Sequence, residues 1–530
     1  MTQLLITNIK IALEDDEKTA INIAKKTLKS QHINIRDFEF SVFKRSIDAR
    51  NNNRILLVYS VLATSSDNID VSPTNNIRIF EGHKLDFEFG NEVLYSRPIV
   101  VGMGPAGMFC ALVLAENGYS PIIIDRGDSI ADRTKALEKF ISKGQLDVES
   151  NIQFGAGGAG TFSDGKLTTR INDSMCNYVL TRFVEFGAPS EILTKSKPHI
   201  GTDILTVVVQ NILDRIEQLG GTVIYRCRMD DINSASDYVE TITTKGIFKT
   251  NALVLALGHS ARDTYRALLR HNFIIEPKAF SVGVRVEHLQ KDIDNALYGK
   301  YAGHPKLGPG EYNLSDTKGR GVYTFCMCPG GEVVPATSMA NGVCVNGMSK
   351  FARDGENANC AVNVTVDKSD YGNDPYKAIE FQESLEKKAF EAGGRNYNAP
   401  IQLMGDFLDD KVNSYPSRIL PTYAGGAKTT VTNLGSILPA FVTQRLKEGF
   451  YSFDKRINGF AVDDAVLTGI ETRTSAPIRI MRNEKMTAIN QSFVYPCGEG
   501  AGYAGGIMSS AVDGIKVAIE IIKKYKPINN

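Results

Sequence analysis

At 530 residues, with 42% hydrophobic and 23% charged side chains, the chain has the composition of a globular protein and too much length for one core. Lys plus Arg and Asp plus Glu number 60 each, so no net field gathers phosphate and nucleic acid is not an expected partner. The sequence has no long uninterrupted apolar run, no leader-like start and no Cys-x-x-Cys pair, which leads us to expect a cytoplasmic protein with reduced thiols, no membrane span and no metal site.

Residues 1–95 read as a small α+β unit. "LLITNIKIAL" alternates like a strand, and "DDEKTAINIAKKTLKS" is an amphipathic helix, acidic at its start and basic at its end. "INIRDFEFSVFKRSIDAR" and "RILLVYSVLA" read as further strands, the second buried on both faces. Packing or docking is the role expected of this unit.

From Ile99 the pattern becomes alternating strand and helix. Ile99–Val101 is a short apolar strand, a helix runs on to about Asn117 where Gly118 stops it, and Ile122–Ile124 is a second strand ending at Asp125. The turn between strand and helix is "GMGPAG", a Gly-x-Gly-x-x-Gly pattern inside a full β-α-β unit, which is where that pattern signals a dinucleotide. Gly102 permits the tight turn, Gly104 lets backbone approach a diphosphate, and Gly107 lets helix pack on strand. The positive end of the helix then meets the diphosphate. Asp125 is placed to accept from ribose hydroxyls, and its charge disfavours the 2′-phosphate of NADP.

A helix at "SIADRTKALEKFISKG" opens a mixed segment. The second glycine motif, "GAGGAG" at Gly155–Gly160, is followed by "TFSDGKLTTR" and no long helix, so it is not a second nucleotide unit. "DILTVVVQNILDRIEQL" is a helix ended by Gly220 and Gly221, and "TVIYRCRMDDI", "DYVETITT" and "ALVLALG" form a strand series. Residues 272–430, rich in short strands and Gly-Pro turns, read as a cap covering a nucleotide-binding domain built from 96–271 and 431–530. The third motif, "GAGYAG" at Gly500–Gly505, leads into a long helix with Ile507, Ala511, Ile515, Ala518 and Ile522 along one face.

Two later segments decide between NAD and FAD. "TNALVLALGHS" resembles the second fingerprint of FAD proteins of the glutathione-reductase type. "SFVYPCGEGAGYAGGIMSSAVDGIKVA" resembles their last one, in which an acid bonds the ribityl chain and a helix start faces the flavin pyrimidine edge. Three fingerprints in order point to FAD. A single β-α-β unit means no built-in NAD(P)H domain, so either the substrate supplies electrons directly or NAD(P)H visits the same face transiently.

The strings "KRSIDAR", "GMGPAGMFCALVLAENGY", "QFGAGGAGTFSDGKLTTR", "YTFCMCPGGEVVPA", "NGMSKFARDG", "ETRTSAPIRI" and "YPCGEGAGYAGGIMSSAVDGI" span nearly the whole chain. On them the chain resembles the uncharacterised FAD-dependent dehydrogenases related to fumarate-reductase-like flavoproteins. The resemblance implies an α/β protein: a glutathione-reductase-like, Rossmann-type FAD domain, an inserted mixed α+β cap and the small N-terminal unit. It implies that Gly102, Gly104, Pro105, Ala106, Gly107, Asp125 and Arg126 line the ADP half and that Met229 meets adenine. Gly157, Gly158, Thr161, Ser163 and Lys166 would wrap the diphosphate and flavin face, with Ala256, Gly258, Gly498, Glu499, Gly505, Gly506 and Ile507 closing the flavin end. Asp125 in place of Glu, and Glu499 in place of Asp, depart from the family pattern by one methylene each.

The implied activity is an FAD-dependent oxidoreductase moving hydride between a small organic substrate and the flavin. A flavin-dependent RNA-modifying protein and an FAD-bound scaffold without turnover are the alternatives. Candidate assisting groups are His259 as a proton donor and Arg285, Arg473 and Arg479 as carboxylate clamps. Cys326 and Cys328 stand two apart on a strand with both thiols on one side, either a redox pair or, the preferred reading, core packing. Tyr503 and Cys497 near the flavin turn are read as packing.

Overall fold

The computed structural model describes residues 2–69, 71–81 and 87–528, and it is a mixed α/β protein. Thr2–Ala12, Phe38–Asp48, Leu56–Ser65 and Ile77–Ile79 make an antiparallel four-stranded sheet in which Leu56–Ser65 and Thr2–Ala12 are central. The helix Glu17–Ser30 starts at Asp16, whose carboxylate accepts the Thr19 N–H at 3.0 Å, and it lays Ala20, Ala24 and Leu28 on the sheet. Leu56–Ser65 alternates buried and half-buried residues, which corrects the expectation of a strand buried on both faces. Its apolar run reflects a central position, with only one face under the helix.

The second sheet is parallel throughout, in the order Val494–Pro496, Leu253–Leu255, Ile99–Val101, Ile122–Ile124, Thr222–Ile224. On one face lie the helices Pro105–Glu116, Gly201–Gln218 and Ile507–Lys524, joined in a single apolar cluster. Pro105–Glu116 is buried on every side from Ala106 to Ala115, which is why its sequence carries no polar stripe. The other face is covered by an antiparallel sheet of Met229–Ser234, Val239–Thr243 and Gly246–Thr250 and by the helix Arg262–Arg270. "TVIYRCRMDDI", expected as one strand, is therefore two: Thr222–Ile224 ends the parallel sheet, Arg226 turns left-handed at φ 51°, and Met229 begins the covering sheet.

A seven-stranded sheet runs Ser315–Asp316, Val322–Cys328, Asn357–Val366, Phe280–Leu289, Val466–Glu471, Ala399–Leu403, Thr429–Val431, antiparallel but for the last pair. The expectation of short strands and turns over 272–430 needs correction, because this part holds two ten-residue strands and the 18-residue helix Pro375–Ala392. The boundary at 430 also fails to match the sheet. Val466–Glu471 pairs on both sides within it, and the helix Ala440–Asp454 packs in its core, although both fall in the segment expected to bind nucleotide. Among the described residues no helix is long and apolar enough to cross a membrane.

Candidate functional site

Ligands of open parallel sheets bind beyond the carboxyl ends of the strands. Here the turns leaving Ile99–Val101, Leu253–Leu255 and Val494–Pro496 meet there, and the loop 155–160 lies across them. The backbones touch: a Cβ added to Gly102 would stand 2.2 Å from the Ala256 carbonyl oxygen, one on Gly158 2.8 Å from Gly104 Cα, and one on Gly500 2.5 Å from the Gly258 oxygen. Gly107, as expected, seats the helix on its own strand, since a Cβ there would lie 1.9 Å from the Gly102 oxygen. Gly258, Gly505 and Gly506 differ, with nothing within 4 Å of an added Cβ, and Gly104 has only Gly158 Cα at 3.9 Å. These four face open space.

Two helix starts, Pro105 and Ile507, point into this space. Neither has a capping side chain or an acid in its first turn, so apart from Glu499 beside the Gly506 N–H, their amide groups and positive ends meet no protein anion among the described residues. Pro105 and Ala106 begin the first helix, and Ile507 the second, with its Cγ1 3.1 Å from where a Gly160 Cβ would be. Gly498 lies against Ala106, at 2.6 Å from its Cβ by the same measure. Glu499 accepts the Gly506 N–H at 3.3 Å. Its carboxyl is walled in by protein yet reached by solvent, and burial pushes its pKa up to about 7 against the pull of the Gly506 N–H and Lys278. Near neutrality it can donate or accept a hydrogen bond.

Asp125 does something the sequence did not suggest. Its Oδ2 accepts the Met103 N–H at 2.9 Å, and its Oδ1 accepts those of Gly127 and Gly155 at 2.8 and 3.0 Å. Most of its acceptor capacity thus ties three loops together rather than standing free for a ribose. Arg126 is likewise engaged, pairing with Glu149 at 2.7 Å and Asp263 at 2.6 Å beside the Phe154 ring. Met229 is buried in the covering sheet, its carbonyl 3.5 Å from the Thr264 hydroxyl. Thr161 and Ser163 donate within their own loop, to Ala156 and Gly160 carbonyls, and Gly157 turns that loop at φ 80°. Lys166 corrects its expected place: its ammonium leaves the loop and donates to the Met327 carbonyl, in the seven-stranded sheet.

The most informative residue missed in the sequence is Arg133. It is fully buried, and its guanidinium donates to the carbonyls of Asn151, Ala156, Ile152 and Gly158 at 2.6–2.9 Å. Burial pushes it down to about 9, with the Asp125 charge pulling the other way. A cation with four carbonyl partners and no direct carboxylate among the described residues sits under the loop that faces Gly104. Its signal was available: Ile130, Arg133, Leu137 and Phe140 share one helical stripe, an arginine where a core residue belongs. Tyr265 was also missed, its hydroxyl 2.7 Å from the Gly258 oxygen and 3.0 Å from that of Gly500, pinning two of the turns.

Two of the candidate carboxylate clamps, Arg285 and Arg473, have their guanidiniums engaged by protein groups. Arg285 is fully buried and spends its donors on Glu471, Asn359, Asn346 and the Cys326 carbonyl, at 2.7–3.1 Å. Arg473 pairs with Glu386 at 2.8 Å and donates to Ser260 and Ser338. Arg262 shares Glu386, and although burial works against ionisation the two guanidiniums hold that carboxyl well below its usual range. Beside them burial, then the charges of Arg473 and Arg262, push His259 down to about 3, so it is a neutral imidazole with Nδ1 2.9 Å from the Ser260 hydroxyl. Near neutral pH the expected proton donor is therefore an uncharged ring with a single N–H. Tyr503 packs on Arg482 and Arg479, and Arg479 donates to the Gly502 carbonyl. Cys497 is buried, and burial pushes its thiol up. The Cys326 and Cys328 sulfurs lie 3.9 Å apart, although a bulge between Phe325 and Cys328, not regular pleating, brings them to one side.

Uncapped helix ends, a buried cation under a glycine loop and glycines open to a cleft suit a dinucleotide with an anionic diphosphate. Residues 279–474 match the family described as "FAD-dependent protein, C-terminal domain-like", and residues 1–64 match a domain of unknown function, DUF8436. An uncharacterized protein of Clostridium beijerinckii is 47% identical over 535 residues, covering 98% of this chain and 98% of that one. Among solved structures, CtdE in complex with FAD aligns at TM-score 0.30 and 8% identity, over 80% of this chain and 84% of that chain. Glycine oxidase from Geobacillus kaustophilus aligns at TM-score 0.33 and 12% identity, over 81% and 95%. Likenesses that faint carry no argument about fold or chemistry. The family description and the donor set agree, and the cofactor is FAD.

Proposed function

We propose that this chain, which belongs to the family of the Clostridium beijerinckii protein and whose residues 279–474 match the family described as "FAD-dependent protein, C-terminal domain-like", is an FAD-dependent oxidoreductase acting on a small organic substrate. The observation that carries the reading is the meeting of three glycine turns and two uncapped helix starts at one edge of the parallel sheet. FAD bound there would accept or release a hydride.

The amides after Gly104 and the Gly158 loop, backed by Arg133, would hold the diphosphate. Glu499 would bond the ribityl chain, and the Ile507 helix start would favour the negative charge that develops on the ring at reduction. The arrangement fits a glutathione-reductase-like domain of residues 96–277 and 478–528, with a cap closer to 279–474 than to 272–430. Met229 and Asp125 remain the residues we assign to the adenosine end, Asp125 through the loops it ties together. With a single nucleotide unit among the described residues, either the substrate supplies electrons directly or NAD(P)H visits the same face transiently.

The purified protein is expected to be yellow, with flavin absorbance and FAD in equal amount to chain. Anaerobic bleaching across a metabolite panel that includes NADH and NADPH identifies the electron donor. A colourless protein whose melting ignores added FAD overturns the proposal.

A further inference from the structure

Around the bulge in Val322–Cys328 the protein gathers groups that the oxidoreductase reading leaves unused. Cys326 takes a left-handed backbone, φ 45°, rare for a residue with a side chain and most often kept where a side chain must be re-aimed. Cys326 is partly accessible, with its neighbour Phe325 43% exposed, whereas Cys328 is fully buried. Cys328 Sγ lies 3.2 Å from the Cys326 carbonyl oxygen and 3.9 Å from Cys326 Sγ, so its one S–H can turn from the carbonyl to a Cys326 thiolate. Arg285 donates to the same carbonyl at 3.1 Å and stands 3.9 Å from Cys328 Sγ. Lys166 holds the Met327 carbonyl, and its own acids, Asp164 and Glu311, are each 3.9 Å away. Two cations thus flank two thiols.

The charge state follows from that setting. The hydrogen bond from Cys328, helped by Arg285 and Lys166 and opposed by burial and Asp164, brings Cys326 down to about 7, while Cys328 is pushed well up. The other six cysteines, Cys110, Cys176, Cys227, Cys344, Cys360 and Cys497, are all pushed up by burial. The location is also specific. The loop whose Gly158 lies on Gly104 and whose Gly160 faces Ile507 reaches the cysteine strand through Lys166.

We propose that Cys326 and Cys328 are a redox-active dithiol whose substrate class is a disulfide, with Cys326 the attacking and Cys328 the resolving sulfur. This rests on, and narrows, the oxidoreductase reading. The Cys326 thiolate forms a bond to one substrate sulfur and expels the other as a thiolate. Cys328 then loses its proton, bonds to Cys326 and expels the second thiolate. The pair gives up two electrons and two protons, and the disulfide leaves as two thiols. FAD, when bound and reduced, would supply the two electrons and one proton that, with a further proton from solvent, return the disulfide to the dithiol. Arg285 and Lys166 are positioning residues here.

The test uses the full-length, FAD-loaded protein and oxidised glutathione. The wild type is expected to release two glutathione thiols per chain, and the peptide holding both cysteines becomes lighter by two hydrogens. Cys328→Ser is expected to stop with glutathione held on Cys326, and Cys326→Ser to release nothing from this pair at unchanged flavin content. Should either variant fold poorly, the wild type alone decides. Its Cys326 is expected to alkylate with a midpoint near pH 7, below the ordinary thiol value of 9.0, and at neutral pH about 100-fold or more faster than Cys360. A midpoint at or above 9.0, or first reaction at Cys360, overturns the assignment. Unreactive thiols beside a flavin that still bleaches sink the dithiol alone. Thiol exchange in a chain that takes up no FAD sinks the flavin reading alone.

Discussion

Gly104 and Gly107 belong to one motif, yet replacing them should do opposite things. Gly104 has φ −73° and ψ 178°, backbone that any residue adopts, and an added Cβ meets only Gly158 Cα at 3.9 Å. Gly104→Val therefore places its Cβ without a clash in the cofactor-free protein, and the reduced freedom of its unfolded chain, about 0.4–1 kcal/mol, offsets the poorer N-cap. The new methyls extend into the space where the proposed diphosphate would lie. Gly107→Ala instead drives a Cβ to 1.9 Å from the Gly102 carbonyl oxygen, an overpacking of about 1–3 kcal/mol or more that the better helix propensity of Ala, about 1 kcal/mol, offsets only in part. A ligand present at about 100 times its Kd adds about 2.7 kcal/mol to the folded state. Melting of deflavinated protein with and without FAD separates the cases. Gly104→Val should melt close to wild type and gain nothing from FAD, and Gly107→Ala should melt lower from the start. Full flavin content in Gly104→Val, or an apo melting point as low as that of Gly107→Ala, refutes the geometry.

Arg285→Met leaves Glu471 buried without its cation, which costs about 3–5 kcal/mol, and Arg285→Met combined with Glu471→Leu should recover most of it in urea unfolding. Glu499 binds its proton more tightly folded than unfolded. Its contribution to stability is full below the ordinary carboxyl value of 4.5 and lost as pH rises through about 7. Glu499→Gln should therefore melt above wild type on the alkaline side, cofactor-free, with the gap closing toward acid. A gap independent of pH, or one that opens toward acid, contradicts the burial of that carboxyl.

The nucleotide unit was readable because it is local. Strand, turn, helix and strand from Ile99 to Asp125 follow one another, and Gly107 answers a contact inside the unit, although Gly102 and Gly104 face Ala256 and Gly158 from outside it. The seven-stranded sheet was not, because Val466–Glu471 inserts between Phe280–Leu289 and Ala399–Leu403 from far along the chain. No spacing rule encodes such a pairing. Asp125 and Arg285 show the same limit at single residues. Their types announced a polar role, but the groups that satisfy them, three amides for one and partners on four other strands for the other, come from loops and strands that only tertiary structure brings near.

The parallel sheet takes one edge from Val494–Pro496, and the helix after it lies on the first helix of the nucleotide turn. Ribosomes emit the amino end first, so the four-stranded sheet and its helix can condense early, whereas the crevice stays incomplete until Val494–Pro496 and the helix that follows have left the exit tunnel. Coenzyme uptake at this crevice is therefore expected only once that segment has emerged, and nascent chains stalled before Val494 should retain none.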